Sequence, residues 1–220
     1  MTRSPTVFIV DDDDAVRHCL SVICELADIP CETFPDAASF IRSYAPSRGG
    51  CLVVDQRMPG MTGLELQEWV SRQPVTLPVI VITGHGEVPL AVNAFRAGAW
   101  DFLEKPFDDQ YFVERVRAAL QHDAAQRREA EDRANAHARF RRLSRRERAV
   151  LDLLVRGLPN KLVAAELDIG IRTVESHRAN VLKKMGVASL CDLTRLKLLL
   201  DGGAETATAD ESADRSAAHP

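Results

Sequence analysis

Several residues that end apolar runs in the first half of the chain carry side chains suited to phosphoryl or divalent-cation chemistry. TVFIV is followed by Asp11 and Asp12, CLVV by Asp55, VIVI by Thr83 and DFLE by Lys105. Three carboxylates meeting in one crevice repel each other, so the site must hold protons, pair with Lys105 or bind a hard divalent cation. Mg2+ answers best. It neutralises the acids and bridges to a phosphoryl oxygen, Lys105 supplies a compact positive charge, and the Thr83 hydroxyl can donate to another oxygen. An ionised aspartate beside such a cation can attack phosphorus in line, because phosphoryl transfer asks the protein mainly for positioning and charge stabilisation. Asp55 stands alone at the end of a central run and is the expected nucleophile. Asp13 and Asp14 continue the acidic run, and a solvated first turn favourable to the helix dipole suits them better than direct ligation.

The elements that must position these side chains alternate. The apolar runs 6–10, 31–34, 51–55, 77–83 and 100–105 alternate with helix-like stretches Ala15 to Leu26, Ala37 to Tyr44, Gly63 to Val70, Pro89 to Ala97 and Asp109 to Leu120. Five strands and five helices in alternation predict an α/β fold with a parallel sheet, since parallel strands need crossover helices and both sheet faces are then covered. The nearly all-apolar strands agree. Ligands of such sheets bind beyond the carboxyl ends of the strands, where the polar residues named above lie.

The 220 residues suffice for one domain of ordinary size and a smaller one. No stretch reaches the roughly 18 uncharged apolar residues of a spanning helix, and MTRSPTVFIV has no signal-peptide pattern, so a cytoplasmic protein without membrane association is expected. The five cysteines are scattered without metal-ligand spacing and read as buried reduced thiols. The net charge of −4 hides an asymmetry. Residues 1–120 hold 10 Lys/Arg against 17 Asp/Glu, whereas residues 139–200 hold 14 against 6. A basic module tied to an acidic one suggests a polyanion partner for the basic module alone.

VDDDDAVR, VVDQRMPGMTGLEL, VIVITGHG and DFLEKPF together resemble the receiver domains of two-component response regulators, over residues 5–120. The resemblance implies a flavodoxin-like domain with strand order 2-1-3-4-5, in which Asp55 becomes aspartyl phosphate. It further implies Mg2+ held by Asp11, Asp12 and Asp55 with the Arg57 backbone carbonyl, Lys105 as the basic partner, and a cis bond at Lys105-Pro106. Thr83 and Phe102 become the switch pair, acting on the surface of the Pro89 to Ala97 segment, the fifth strand and the Asp109 helix. On pattern alone Phe102 reads as core.

From residue 121 the chain is rich in Ala, Arg and Glu without an apolar stripe, and reads either as a charged helical extension or as a partly frayed solvated tether. Beyond it, apolar residues fall at helical spacing: Val150, Leu151, Leu154 and Val155, then Leu162, Val163 and Leu167, then Val174, Val181 and Leu182. Ser144 and Glu147 have capping-box spacing, Asn160 is the expected cap of the next helix, and Leu167 to Gly170 makes a tight turn. That order is a helix-turn-helix. The segment IRTVESHRANVLKKM turns outward Arg172, Glu175, Ser176, His177, Arg178, Asn180 and Lys183 or Lys184, a face suited to a recognition helix. The run from Leu143 to Val187 resembles the LuxR-type DNA-binding domain, and the pairing of domains resembles the FixJ/NarL group, closest to FixJ-like regulators. It implies an all-α four-helix domain in which Asn160 and Lys161 open the motif, the helix from Ile171 enters the major groove with Thr173 among its contacts, and 190–200 supports dimerisation. Gly170, where Ser is common, and Glu175, where Lys is common, depart from the pattern.

The expected organisation is a receiver over 1–120, a helical linker over 121–138, a LuxR-type domain over 139–204 and a disordered acidic tail over 205–220. The expected function is phosphorylation-dependent transcription control, with activation the expected sign. A sensor histidine kinase would be the donor and double-stranded promoter DNA the target; the protein would form a homodimer on phosphorylation, with RNA polymerase a further candidate partner. A regulator, not an enzyme, is expected. Two readings compete. Asp11-x-Asp13 after an apolar strand also suits a haloacid-dehalogenase-like phosphatase with Asp11 as nucleophile, and the helical module could bind protein instead of DNA.

Overall fold

A computed structural model of the chain describes residues 4–73, 77–84, 92, 94–96 and 98–201. It divides into two units, 1–128 and 129–220. In the first, strands β1 (Thr6–Val10), β2 (Cys31–Phe34), β3 (Gly50–Asp55), β4 (Val79–Thr83) and β5 (Asp101–Glu104) form one sheet. All pairings are parallel and the order is β2-β1-β3-β4-β5, as the alternating pattern predicts. Helices α1 (Asp14–Leu26), α2 (Ala37–Ser43), α3 (Gly63–Ser71) and α4 (Asp109–Arg141) are the described helices that follow strands. Most of the expected Pro89 to Ala97 helix lies outside the described residues; 92 and 94–96 are helical.

The period of two along each strand sorts the core into two layers. Val7, Ile9, Cys51, Val53, Ile80, Ile82 and Leu103 face Leu20, Ile23 and Cys24 of α1 and Phe112, Val116 and Ala119 of α4. Phe8, Val10, Leu52, Val54, Val79 and Val81 face Phe40 of α2 and Leu66 and Val70 of α3. β3, flanked on both sides, is buried throughout. β2 departs from the expected all-apolar character, with exposed Glu32 and Thr33, because it is an edge strand that keeps one side toward water.

The second unit is helical. α5 (Arg145–Val155), α6 (Asn160–Leu167) and α7 (Ile171–Met185) are followed by a helix over 190–201. Ser144 and Glu147 form the capping box that their spacing predicts. Asn160 does not cap α6: Pro159 occupies that position and no side chain accepts there. Proline suits the place because its fixed φ is extended-compatible and it lacks the N–H a cap would have to satisfy. Between α6 and α7, Asp168 adopts a left-handed conformation, φ 52°, which reverses the chain in the expected turn. The core joins Val150, Leu154, Val163 and Val174 on one side and Leu151, Val181, Met185 and Leu193 on the other. Ala136 and Leu143 enter the latter cluster, so the end of α4 and the turn after it belong to this unit's interior. The 205–220 segment, expected to be disordered, lies outside the described residues. Cys24 and Cys51 are buried free thiols as expected, but Cys19 and Cys191 are exposed.

Candidate functional site

Strand parity decides which polar residues meet. Asp11, Asp55 and Lys105 continue the alternation of Ile9, Val53 and Leu103, so all three emerge on the α1/α4 side of the sheet at its carboxyl end. There the Lys105 ammonium donates to Asp11 Oδ2 at 2.8 Å and to Asp55 Oδ1 at 2.7 Å. Asp11 is 2% exposed and Asp55 8% exposed, so both carboxyls are held where water screens little. The burial of Lys105 works against its charge, but its bonds to the two carboxyls outweigh this and hold the ammonium above the ordinary lysine range. Two carboxyls share one ammonium, so the pocket carries an acid that its own base does not neutralise.

Backbone donors fix the orientation of both acids. The Arg57 N–H donates to Asp55 Oδ2 at 2.6 Å, and the Asp13 N–H donates to Asp11 Oδ1 at 2.9 Å. Arg17 reaches back from α1 to the Asp11 carbonyl. Asp13 caps α1, accepting from the Ala15 and Val16 N–H groups, which accounts for it without any ligand role. Asp12 is exposed beside the pocket. Gly63 is required behind Asp55: a Cβ there would lie 2.6 Å from the Asp55 carbonyl oxygen. This close approach sets the start of α3 against the end of β3, with the Gly63 N–H donating to the Gln56 carbonyl.

Thr83 and Phe102 fall on the other parity. Both point to the α2/α3 side, where Phe102 is half-buried against that core layer and Thr83 is 1% exposed. Phe102 pairs with Val81 across the ladder, and Thr83 pairs with Glu104, so the two are diagonal neighbours on one face. The Lys105 N–H donates to the Thr83 carbonyl at 2.7 Å. The Lys105-Pro106 bond is cis. Among the described residues no three carboxylate, imidazole or thiolate groups already stand together as a ligand set. The donors gathered at the pocket are nonetheless hard oxygens with excess negative charge, the chemistry that suits Mg2+.

In the second unit, α7 buries Val174, Val181 and Met185 and turns Arg172, Thr173, Glu175, Ser176, Asn180 and Lys183 to solvent. His177 and Arg178 are half-buried at the edge of this face. Arg178 donates to Asn160 Oδ1 at 3.4 Å, which ties the start of α6 to the middle of α7, while Lys161 is exposed. Lys184 is committed elsewhere: its ammonium lies 2.7 Å from Glu147 Oε2. That bond, with the Ser144 backbone N–H, holds the buried Glu147 carboxyl down at about 2. Lys183 and Lys184 are both exposed, and Lys184 is the one that pairs with Glu147. The structure also shows a pair that periodicity did not reveal, buried Asp123 with half-buried Arg127 on α4. Their i,i+4 spacing was the available signal, but such pairs are usually solvated.

Comparison with known proteins bears on both units. The model of the response regulator receiver domain matches residues 7–117, and that of bacterial regulatory proteins of the luxR family matches residues 141–197. Over 199 residues the chain is 47% identical to the transcriptional regulatory protein FixJ of Azorhizobium caulinodans, covering 90% of this chain and 94% of that one. The solved response regulator StyR is 42% identical with a TM-score of 0.80, over 88% of this chain and 98% of that one. Full-length FixJ from B. japonicum is 38% identical with a TM-score of 0.55, over 91% and 98% of the two chains. The FixJ relatives are transcriptional regulatory proteins. With a parallel 2-1-3-4-5 sheet gathering acids at its carboxyl end and a helix-turn-helix later in the sequence, the chain belongs to the FixJ-like two-component response regulators, with a receiver domain and a LuxR-type DNA-binding domain.

Proposed function

We propose that Asp55 accepts a phosphoryl group from a sensor histidine kinase and that this controls binding of the α7 face to promoter DNA. The observation that carries the reading is the Lys105 ammonium shared between Asp55 and Asp11, an arrangement that leaves acid in excess at the end of β3. Receiver domains of this family typically bind Mg2+ at the acidic site; here Asp11, Asp12, Asp55 and the Arg57 carbonyl would hold it. When bound, Mg2+ supplies the charge that neutralises the incoming phosphoryl oxygens.

The Asp55 carboxylate oxygen attacks phosphorus as the bond to the donor's imidazole nitrogen breaks, and the backbone N–H of Arg57 keeps the carboxyl plane fixed meanwhile. Lys105 exchanges a carboxyl partner for a phosphoryl oxygen, and the Thr83 hydroxyl donates to another. Thr83 and Phe102 share a sheet face, so a shift of the threonine reaches the aromatic ring through that layer. In the DNA-bound form, Arg172, Thr173, Glu175, Ser176, His177, Arg178, Asn180 and Lys183 or Lys184 approach the major groove, with Asn160 and Lys161 at the entrance to the motif. Arg178 already orders Asn160. We assign the boundaries as 1–120, 121–138, 139–204 and 205–220. Homodimerisation on phosphorylation, contact with RNA polymerase, activation as the sign of control and cytoplasmic action complete the reading.

The test compares Asp55→Asn with Asp11→Asn in full-length protein treated with acetyl phosphate and Mg2+, read by intact mass. Loss of the phosphoryl adduct in Asp55→Asn is the expected result. An adduct retained in Asp55→Asn and lost in Asp11→Asn would overturn the assignment in favour of a phosphatase-like nucleophile at Asp11.

A further inference from the structure

The family match to the receiver ends at residue 117, yet two further turns of α4 are bolted to the same sheet at the end remote from Asp55. Asp123, 1% exposed, accepts the Gly50 N–H at 2.8 Å and both of its oxygens take the Arg127 Nε. Arg127 also donates from Nη1 to the Pro46 carbonyl at 3.0 Å and from Nη2 to the Arg48 carbonyl at 2.8 Å. One carboxylate and one guanidinium thus close the loop before β3 against the helix, using charge-assisted bonds in a nearly dry setting. Backbone shape protects the contact. A Cβ on Gly49 would meet Asp123 Oδ2 at 3.0 Å and Arg127 Nε at 3.2 Å, and one on Gly50 would lie 1.9 Å from the Thr6 carbonyl oxygen.

The placement matters because α4 grips the sheet at both ends. Its start follows Lys105 by four residues, and Phe112, Val116 and Ala119 pack its length into the core layer beneath Asp11 and Asp55. Gly50 is the first residue of β3 and Asp55 its last. A buried ion pair contributes little net stability compared with apolar packing, but it specifies one geometry, since removing either partner strands the other. We propose that Asp123 and Arg127 are positioning residues of the phosphorylation response: they form the fulcrum that makes α4 answer, as one rod, to rearrangement at Lys105. The first part of the 121–138 linker, through Arg127, is thereby held to the loop before β3. This deepens the proposed function and rests on it.

The experiment uses full-length wild type, Arg127→Met, which keeps the aliphatic stem, and Gly49→Ala, which wedges the latch from the loop without altering the helix. Each is treated with acetyl phosphate and Mg2+, and three quantities are read: adduct on Asp55 by intact mass, amide exchange over 46–50 and 121–128, and the gain in promoter affinity on phosphorylation. Both variants are expected to exchange faster in those segments and to label as wild type does, while the affinity gain falls by about fivefold or more. A full gain with the latch demonstrably open overturns the proposal, and so does loss of labelling in step with the gain, which would make the pair a determinant of the acidic pocket alone. A wild type that labels but shows no gain would instead sink the functional reading on which the proposal stands.

Discussion

The two charged sites of this molecule are built on opposite plans. At the end of the sheet, side chains from positions 11, 55 and 105 converge so that two buried carboxyls and a half-buried ammonium fix each other within 2.8 Å. On α7, successive side chains of one helix fan outward into water. The first site is expensive to assemble because like charges are desolvated together, and it is switchable for the same reason: one added dianion changes every partner's interest. The second is cheap, since its charges stay hydrated, and it draws its force from a polyanion that supplies the counter-charge. The difference teaches where sensitivity should lie. Substitutions in the pocket act through a few short contacts, and substitutions on the helix face act additively.

Removing the shared cation should have the largest effect. Lys105→Ala is expected to slow labelling of Asp55 by acetyl phosphate on the order of a hundredfold, within the range seen when one preorganised charge is deleted from a reaction site. Stopped-flow or intact-mass time courses would show it, and a rate near wild type would mean that the ammonium merely relieves repulsion. Next in size is a packing change beneath the outward face: Met185→Ala should cost about 2–5 kcal/mol of unfolding free energy, because Met185, the last residue of α7, is fully buried in one cluster with Leu151 of α5 and Leu193 of the 190–201 helix. Urea unfolding followed by circular dichroism measures it, with the receiver transition unmoved.

On the face itself, Arg172→Ala should weaken promoter binding by about tenfold, and if its contact is to phosphate the slope of log affinity against log salt should fall by about one. A protein-binding module would show no such steep slope. The smallest effect expected is with pH. Glu147 is held at about 2 by Lys184 and the Ser144 backbone, below the usual carboxylate range. A depressed carboxyl contributes stability that is complete above its unfolded value, near 4.5, and is lost as pH falls toward 2. The DNA-binding domain of Glu147→Gln should therefore lose less stability than wild type between pH 4.5 and 2, read from the amide or methyl signals of Val174 and Val181. Equal losses would mean that Glu147 is not the group that titrates.

Much of the architecture was legible in the amino-acid order because the relevant signals are local. Alternating apolar runs and amphipathic stretches specify strands and helices by period, and the same period places Asp11, Asp55 and Lys105 on one face once the sheet order is known. Ser144 and Glu147 announced their capping box three residues apart. Asn160 misled because cap propensity was read without the preceding proline, whose backbone takes the cap position while the asparagine amide turns to Arg178. The edge character of β2 was hidden as well, since a run such as CETF says nothing of what lies beside it.

By itself, the order of residues determined the two-domain plan, the parallel sheet and the identity of the acids at its end, because hydrophobic period and strand termini are properties of short segments. Tertiary structure alone decided which charges are shared and which are buried. Lys105 finds two carboxyls from positions 94 and 50 residues away. Lys184 pairs with the buried Glu147, and Asp123 with Arg127 turns from an apparently solvated pair into the bolt at the start of β3. The physical reason is that the worth of a charge depends on its distance from water and from its partners, and both are known only when the chain has closed upon itself.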